Sequence, residues 1–93
     1  MIRYRPHREL LEEAMAEMKT FETLDEMKQH IISSWNVLDT DIPCFYPEDI
    51  VIRELNIDDD RIGWKNVCYV CVKRLYNEHY DTPQCIGMCT FDD

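Results

Sequence analysis

The stretch from residue 62 to residue 76, IGWKNVCYVCVKRLY, constrains the fold more than any other part of the chain. Val67, Val70 and Val72 are β-branched, aromatic residues lie among them, and residues 64–76 contain no Pro or Gly. The run from Val67 to Val72 is apolar on both faces, which is typical of a strand that is paired on both edges and covered on at least one face. The sequence therefore predicts that residues 62–76 form the central strand of a small sheet.

One further strand is predicted before this one in the chain and one after it. Residues 50–57 (IVIRELNI) are rich in β-branched side chains, and the run of aspartates at residues 58–60 then favours a turn. Residues 84–91 (QCIGMCTF) predict a third strand, which Gly87 weakens because it has no side chain to pack. Residues 50–91 are therefore expected to form a three-stranded antiparallel meander.

The N-terminal third of the chain predicts two helices. Apolar residues repeat at helical spacing between His7 and Lys19, and again between Leu24 and Trp35. Thr23 and Glu26 match a capping box at the start of the second helix. Because the link between the helices is short, residues 6–35 are expected to form an antiparallel helical hairpin.

These elements together predict one α+β domain over residues 1–93, because a chain of this length supports a single core. The expected order is ααβββ, with the N-terminal helical hairpin packed on one face of the meander. Residues 1–5 (MIRYR) alternate apolar and basic side chains, and they predict either a basic arm or a short edge strand.

Charge restricts the class of partner. The chain has 10 Lys and Arg against 19 Asp and Glu, a formal net charge of −9. Direct binding to an extended phosphate backbone needs clustered Lys and Arg, so it is not expected here. The complementary partner of such a chain is a basic protein surface. The alternative is that the acidity only maintains solubility.

The acidic residues of the predicted helices supply a candidate partner-binding surface. In the first helix, carboxylates recur every four residues, a rise of about 6 Å, which is near the spacing of successive phosphates along an extended strand. This pattern favours a surface that mimics a phosphate backbone, against the alternative of a merely solvated helix face. The candidate residues are Glu9, Glu12, Glu13 and Glu17, with Asp25 and Glu26 in support.

The cysteines raise one metal hypothesis. Cys68-x-x-Cys71 and Cys85-x-x-x-Cys89 have the spacing of a four-thiolate zinc site on paper. Residues three apart in a strand face opposite sides, however, so core packing of these thiols is the preferred interpretation. The alternatives are zinc binding and a redox-active or intermolecular disulfide. No cofactor is expected. The sequence also lacks a recognisable nucleophile or phosphate-binding motif and has only two glycines, so we expect no enzymatic activity.

Three segments carry a resemblance to known proteins: residues 4–15 (YRPHRELLEEAM), residues 61–73 (RIGWKNVCYVCVK) and residues 81–88 (DTPQCIGM). They resemble short proteins encoded by phages and integrative elements of Gram-positive gut bacteria. The resemblance implies a context and no catalytic residue: small acidic proteins of such elements often bind and disable host defence enzymes, and some anti-CRISPR proteins are alike in size and charge.

The sequence thus predicts a non-enzymatic acidic protein of a mobile element that binds and inhibits a basic nucleic-acid-handling host protein such as a CRISPR nuclease. The alternatives are a homodimeric structural or regulatory protein and a small zinc-binding module. The charged N-terminus is not that of a secretory signal, and no apolar run approaches the ~20 residues of a membrane span. A cytoplasmic protein with reduced cysteines and no membrane partner is therefore expected.

Overall fold

Five antiparallel strands form one sheet in the computed structural model, which describes residues 1–7, 10–35, 44–75 and 78–91. In chain order the elements are β1 (Ile2–Pro6), α1 (Leu11–Ala16), β2 (Lys19–Phe21), α2 (Leu24–Trp35), a 3₁₀ turn (Pro47–Asp49), β3 (Ile50–Asp59), β4 (Trp64–Leu75) and β5 (Glu78–Phe91). The strand order across the sheet is β2-β1-β5-β4-β3.

The predicted helical hairpin on a three-stranded meander is wrong. The first helix is only the six residues of α1, and the chain then forms β2 where the prediction had the end of a helix and a loop. Residues 2–6 are not an arm or an edge strand but β1, which lies between β2 and β5. The reason is tertiary: β1 satisfies the backbone hydrogen bonds that a three-stranded meander would leave open along β5.

The C-terminal meander itself is present. β4 pairs with both β3 and β5, as the apolar run from Val67 to Val72 indicates. The centre of the sheet is nevertheless β5, since β1 pairs along its other edge with Ile2 opposite Phe91. The strand that the sequence predicts to be weakened by Gly87 is therefore the central strand of the sheet, paired with β1 on one side and β4 on the other.

One face of the sheet packs under α2. The helix buries Met27 and Ile31, and Phe45 contributes a ring whose centroid lies 6.1 Å from that of Trp35. Half of the predicted capping box is present at the start of α2, where the Glu26 N–H donates to the Thr23 hydroxyl at 3.2 Å. The Glu26 carboxylate accepts from the Glu22 N–H instead of the Thr23 N–H. The buried residues of this cluster are Ile2, Tyr4, Met27, Ile31, Cys44, Phe45, Ile50, Cys68, Val70, Val72, Ile86 and Cys89.

The opposite face carries a second cluster, in which Trp64, Val67 and Met88 are buried and Met18, Ile62 and Tyr69 pack against them. The β3–β4 hairpin is irregular, with two register shifts in β3 and positive φ at Asn56 (54°) and Asn66 (53°). Bulges of this kind bend and twist a strand. The curvature brings Asp59 of β3 within 3.8 Å of Arg5 of β1, although two strands lie between them.

Candidate functional site

The acidic residues of the first predicted helix are not arranged as one long stripe. Glu12 and Glu13 lie in the first turn of α1, and Glu17 is its C-cap residue, whose N–H donates to the Glu13 carbonyl at 3.2 Å. Glu9 lies outside the described residues. A stripe of evenly spaced carboxylates needs several helical turns, and α1 is too short to provide them.

The supporting acids lie in the first turn of α2, where carboxylates favour the helix dipole. The Glu26 carboxylate accepts a hydrogen bond from the Glu22 N–H at 3.2 Å, so it helps to stabilise the N-terminus of α2. Asp25 is exposed. The structure thus divides the predicted acidic field between two helices.

Two other carboxylates, those of Asp59 and Asp49, form hydrogen bonds and ion pairs within the fold. Asp59 bonds the Arg61 guanidinium at 3.3 Å, and hydrogen bonds from Arg61 are the main reason that the pKa of Asp59 is lowered. Asp49 accepts the Tyr46 N–H at 2.9 Å and pairs with Arg74 at 3.3 Å. The Arg74 guanidinium also lies 4.5 Å from the centre of the Tyr46 ring. These acids hold the 3₁₀ turn and the β3–β4 hairpin in place.

Glu12, Glu13 and Asp25 differ from this group. All are exposed, and none of the three carboxylates forms a hydrogen bond or ion pair within the part of the chain that the structure describes. We call these three residues together with Glu17 the helix-side acidic surface, to which α1 and the start of α2 contribute separately. The carboxylates of Glu12, Glu13 and Asp25 are therefore accessible to a cationic group of another molecule.

A cleft of about 490 Å³ lies beside this surface, between α1, α2 and the sheet. Its volume is in the range of small-ligand sites. Nothing in the sequence pattern indicates the cleft, because its walls come from five separate elements. Its lining includes Tyr4, Glu17, Lys19, His30, Trp35 and Ile86.

His30 is the titratable ring of the cleft. Its ring centroid lies 5.2 Å from that of Phe21 and 6.2 Å from that of Tyr4, in tilted and edge-on contact respectively. Burial lowers its pKa, and the nearby Lys19 ammonium lowers it further. The folded protein therefore favours the neutral imidazole.

This lowered pKa predicts an acid-sensitive contribution to stability. An unfolded histidine has a pKa of about 6.5, so the stabilisation from the neutral ring is complete above that pH. It is lost as the pH falls below about 6.5 toward the folded pKa, because the unfolded state takes up the proton first. We expect urea unfolding to show a smaller drop in stability between about pH 7.5 and about pH 5 for His30→Gln than for the parent. Equal drops in both proteins would contradict the assignment.

The four cysteines of the zinc hypothesis form two cross-strand pairs. Cys68 lies opposite Cys89, and Cys71 opposite Cys85. Because Cys71 lies three positions after Cys68 along β4, the two pairs lie on opposite faces of the sheet. No cluster of three or more His, Cys, Asp or Glu side chains suited to a metal occurs among the described residues. The arrangement does not support a four-thiolate site.

Cys68 and Cys89 are buried on the helix-covered face. Burial is the main cause that raises the pKa of Cys89 to about 12, and the neighbouring Cys68 raises it further. A buried thiol of this kind behaves as a small hydrophobic side chain. The core-packing interpretation therefore fits this pair.

In the described part of the chain, neither helix has the length and apolar content that crossing a bilayer requires. Comparisons of the chain with protein-family models, with curated proteins and with solved structures find no match.

Proposed function

We propose that this protein is a non-enzymatic binding protein that engages and inhibits a basic, nucleic-acid-handling host protein in the cytoplasm. The observation that supports the proposal is the division of its carboxylates. Asp49 and Asp59 form ion pairs within the fold. The carboxylates of Glu12, Glu13 and Asp25 are exposed and have no hydrogen-bond or ion-pair partner among the described residues. Unpaired surface charge of one sign raises the rate and specificity of association with a surface of the opposite sign.

The mode of contact is general charge complementarity, not carboxylate-for-phosphate mimicry. The short α1 provides no long ladder of carboxylates, so the helix-side acidic surface would meet a basic groove as a patch. Such a groove is typical of proteins that hold phosphate backbones. A CRISPR nuclease, as the resemblance to mobile-element proteins implies, is the example we propose to test first.

The adjacent cleft would add shape complementarity to this interface. Interfaces derive much of their affinity from a few large side chains that enter pockets near their centre. The cleft offers the aromatic walls of Tyr4 and Trp35, and Glu17 belongs both to the cleft and to the acidic surface. We propose that it receives one long partner side chain while the surrounding carboxylates orient the partner.

A charge-reversal variant tests this proposal. Glu12→Lys/Glu13→Lys is expected to weaken binding to a purified, guide-loaded CRISPR nuclease by roughly tenfold to a hundredfold, because several ion pairs become repulsive. The parent's affinity is expected to fall as salt is raised, since exposed charges are screened over about 10 Å at 0.1 M salt. Calorimetry and inhibition of DNA cleavage provide the two readouts.

The matched control is Glu54→Lys/Glu78→Lys, which makes the same change in net charge at exposed positions on the meander. It is expected to retain most of the affinity. Equal loss of affinity in both variants would mean that net charge alone matters. No loss of affinity in either variant would contradict a role of the helix-side acidic surface in binding.

Concentration-dependent sedimentation without nuclease binding would instead favour a homodimer. The outer edge of β3, where Ile57 is 52% exposed, offers a strand for such pairing.

A further inference from the structure

The cysteine pair on the face opposite α2 differs from the pair in the core. Cys85 is exposed, whereas Cys71, directly across from it on β4, is buried. The Cys85 thiol also contacts the Gly87 carbonyl oxygen at 3.4 Å. A reagent in solution can therefore reach one sulfur of this pair, while the second is held behind it.

Strand register brings the two residues within bonding range. Directly opposed residues in an antiparallel pair have Cα atoms about 4.5–5.5 Å apart, and disulfides span Cα separations of about 4.4–6.8 Å. A register shift between Val70 and Cys71 is what places Cys85 in this position. Burial raises the pKa of the Cys71 thiol first, and the neighbouring Cys85 sulfur raises it further, in agreement with this proximity.

We propose that Cys71 and Cys85 form a dithiol modification site that hydroperoxides oxidise to a disulfide and that a thiol reductant returns to the dithiol. The Cys85 sulfur attacks the peroxide O–O bond, gives Cys85 sulfenic acid and releases the alcohol, or water when the oxidant is hydrogen peroxide. The Cys71 thiol then attacks the sulfenic sulfur, and the hydroxyl leaves as water with the thiol proton. Two electrons pass from the two thiols to one peroxide, and a disulfide links β4 to β5.

The order of roles follows from exposure. Cys85 is the entry point because the oxidant reaches it from solvent, and Cys71 resolves the sulfenic acid because it lies opposite and is shielded from bulk solvent. The Cys68–Cys89 pair has the same cross-strand register, but both of its thiols are buried. It therefore serves as an internal comparison.

The test is treatment of the full chain with hydrogen peroxide followed by peptide mapping under non-reducing conditions. We expect a Cys71–Cys85 cross-link, with a loss of two hydrogen atoms in mass that dithiothreitol reverses. The bond closes a loop of about 15 residues, so the melting temperature of the oxidised protein should rise by on the order of 10 °C. Reduction should return it to the original value.

Single substitutions separate the roles. Cys71→Ser should retain the Cys85 sulfenic acid, which dimedone labels, whereas Cys85→Ser should lose both the cross-link and the label. Cys68→Ala should form the Cys71–Cys85 cross-link as the parent does. A cross-link at Cys68–Cys89, dimers joined through Cys85, or direct overoxidation of Cys85 in the parent would each overturn the proposal.

Discussion

Asp59→Asn is expected to lower the free energy of unfolding by about 3 kcal/mol, because it leaves a buried arginine without its counter-charge. The side chains of Arg5 and Asp59 are 7% and 11% exposed, and their charged groups lie 3.8 Å apart. Within the described residues, the other contact of the guanidinium is a weak one from Nη2 to the Met88 sulfur at 2.9 Å. Its buried Nε has no hydrogen-bond partner among those residues. Urea unfolding at neutral pH measures the loss.

Three comparison variants identify the cause of that loss. Asp60→Asn changes the same charge at the neighbouring exposed position and is expected to change stability by less than about 0.5 kcal/mol. Arg61→Ala removes a partner of Asp59 that is 70% exposed, so it should destabilise the protein much less than Asp59→Asn does. Arg5→Met combined with Asp59→Asn should recover most of the stability, because an apolar side chain needs no counter-charge. Equal losses in Asp59→Asn and Arg61→Ala would mean that Arg5 is not the relevant partner.

The same site predicts an acid dependence. The pKa of Asp59 is lowered in the folded state, chiefly by hydrogen bonds from Arg61 and also by the charge of Arg5. Its stabilisation is therefore complete above the unfolded pKa of about 3.9 and is lost as the pH falls through the lower folded value. The stability difference between the parent and Asp59→Asn should accordingly shrink in acid.

Gly87→Ala is expected to destabilise the protein by about 3 kcal/mol, near the upper end of overpacking costs. An added Cβ would lie 2.7 Å from the Arg5 carbonyl oxygen and 2.7 Å from Tyr4 Cε2. The carbonyl belongs to the β1 backbone, which is paired with β5, so it cannot move without breaking the register of Pro6 opposite Gly87. Thermal unfolding should show a lowered melting temperature.

The second glycine provides the control. Gly63 has no atom within 4 Å of an added Cβ but has a φ of +70°, a conformation that asparagine tolerates. Gly63→Asn should therefore cost less than about 1 kcal/mol. Tyr4→Leu in the Gly87→Ala background should recover part of the loss by removing the ring contact. If Gly87→Ala melted like the parent, the close approach of β1 to β5 would be incorrect.

The sequence by itself determined the local elements with strong periodic patterns. The β-branched and aromatic run of β4, the β-branched run of β3 and the capped, amphipathic α2 all form where their residues indicate. In each case the preference is carried by neighbouring residues, and burial reinforces it. The separation of Cys68 from Cys71 across the sheet also followed from the two-residue period of a strand.

Tertiary structure decided the rest. The sequence predicts a helix from residue 7 to residue 19, but α1 ends at Ala16. The chain leaves the helix there because Met18 packs against the second cluster and Phe21 of β2 packs against the main core. For residues 1–5 the sequence left open an arm or an edge strand; they form an interior strand because the open edge of β5, about 85 residues away along the chain, offers them backbone partners. The cleft, the Arg5–Asp59 contact and the Cys71–Cys85 pair likewise depend on strand order and bulges. These arise from long-range pairing, which short-range periodicity does not encode.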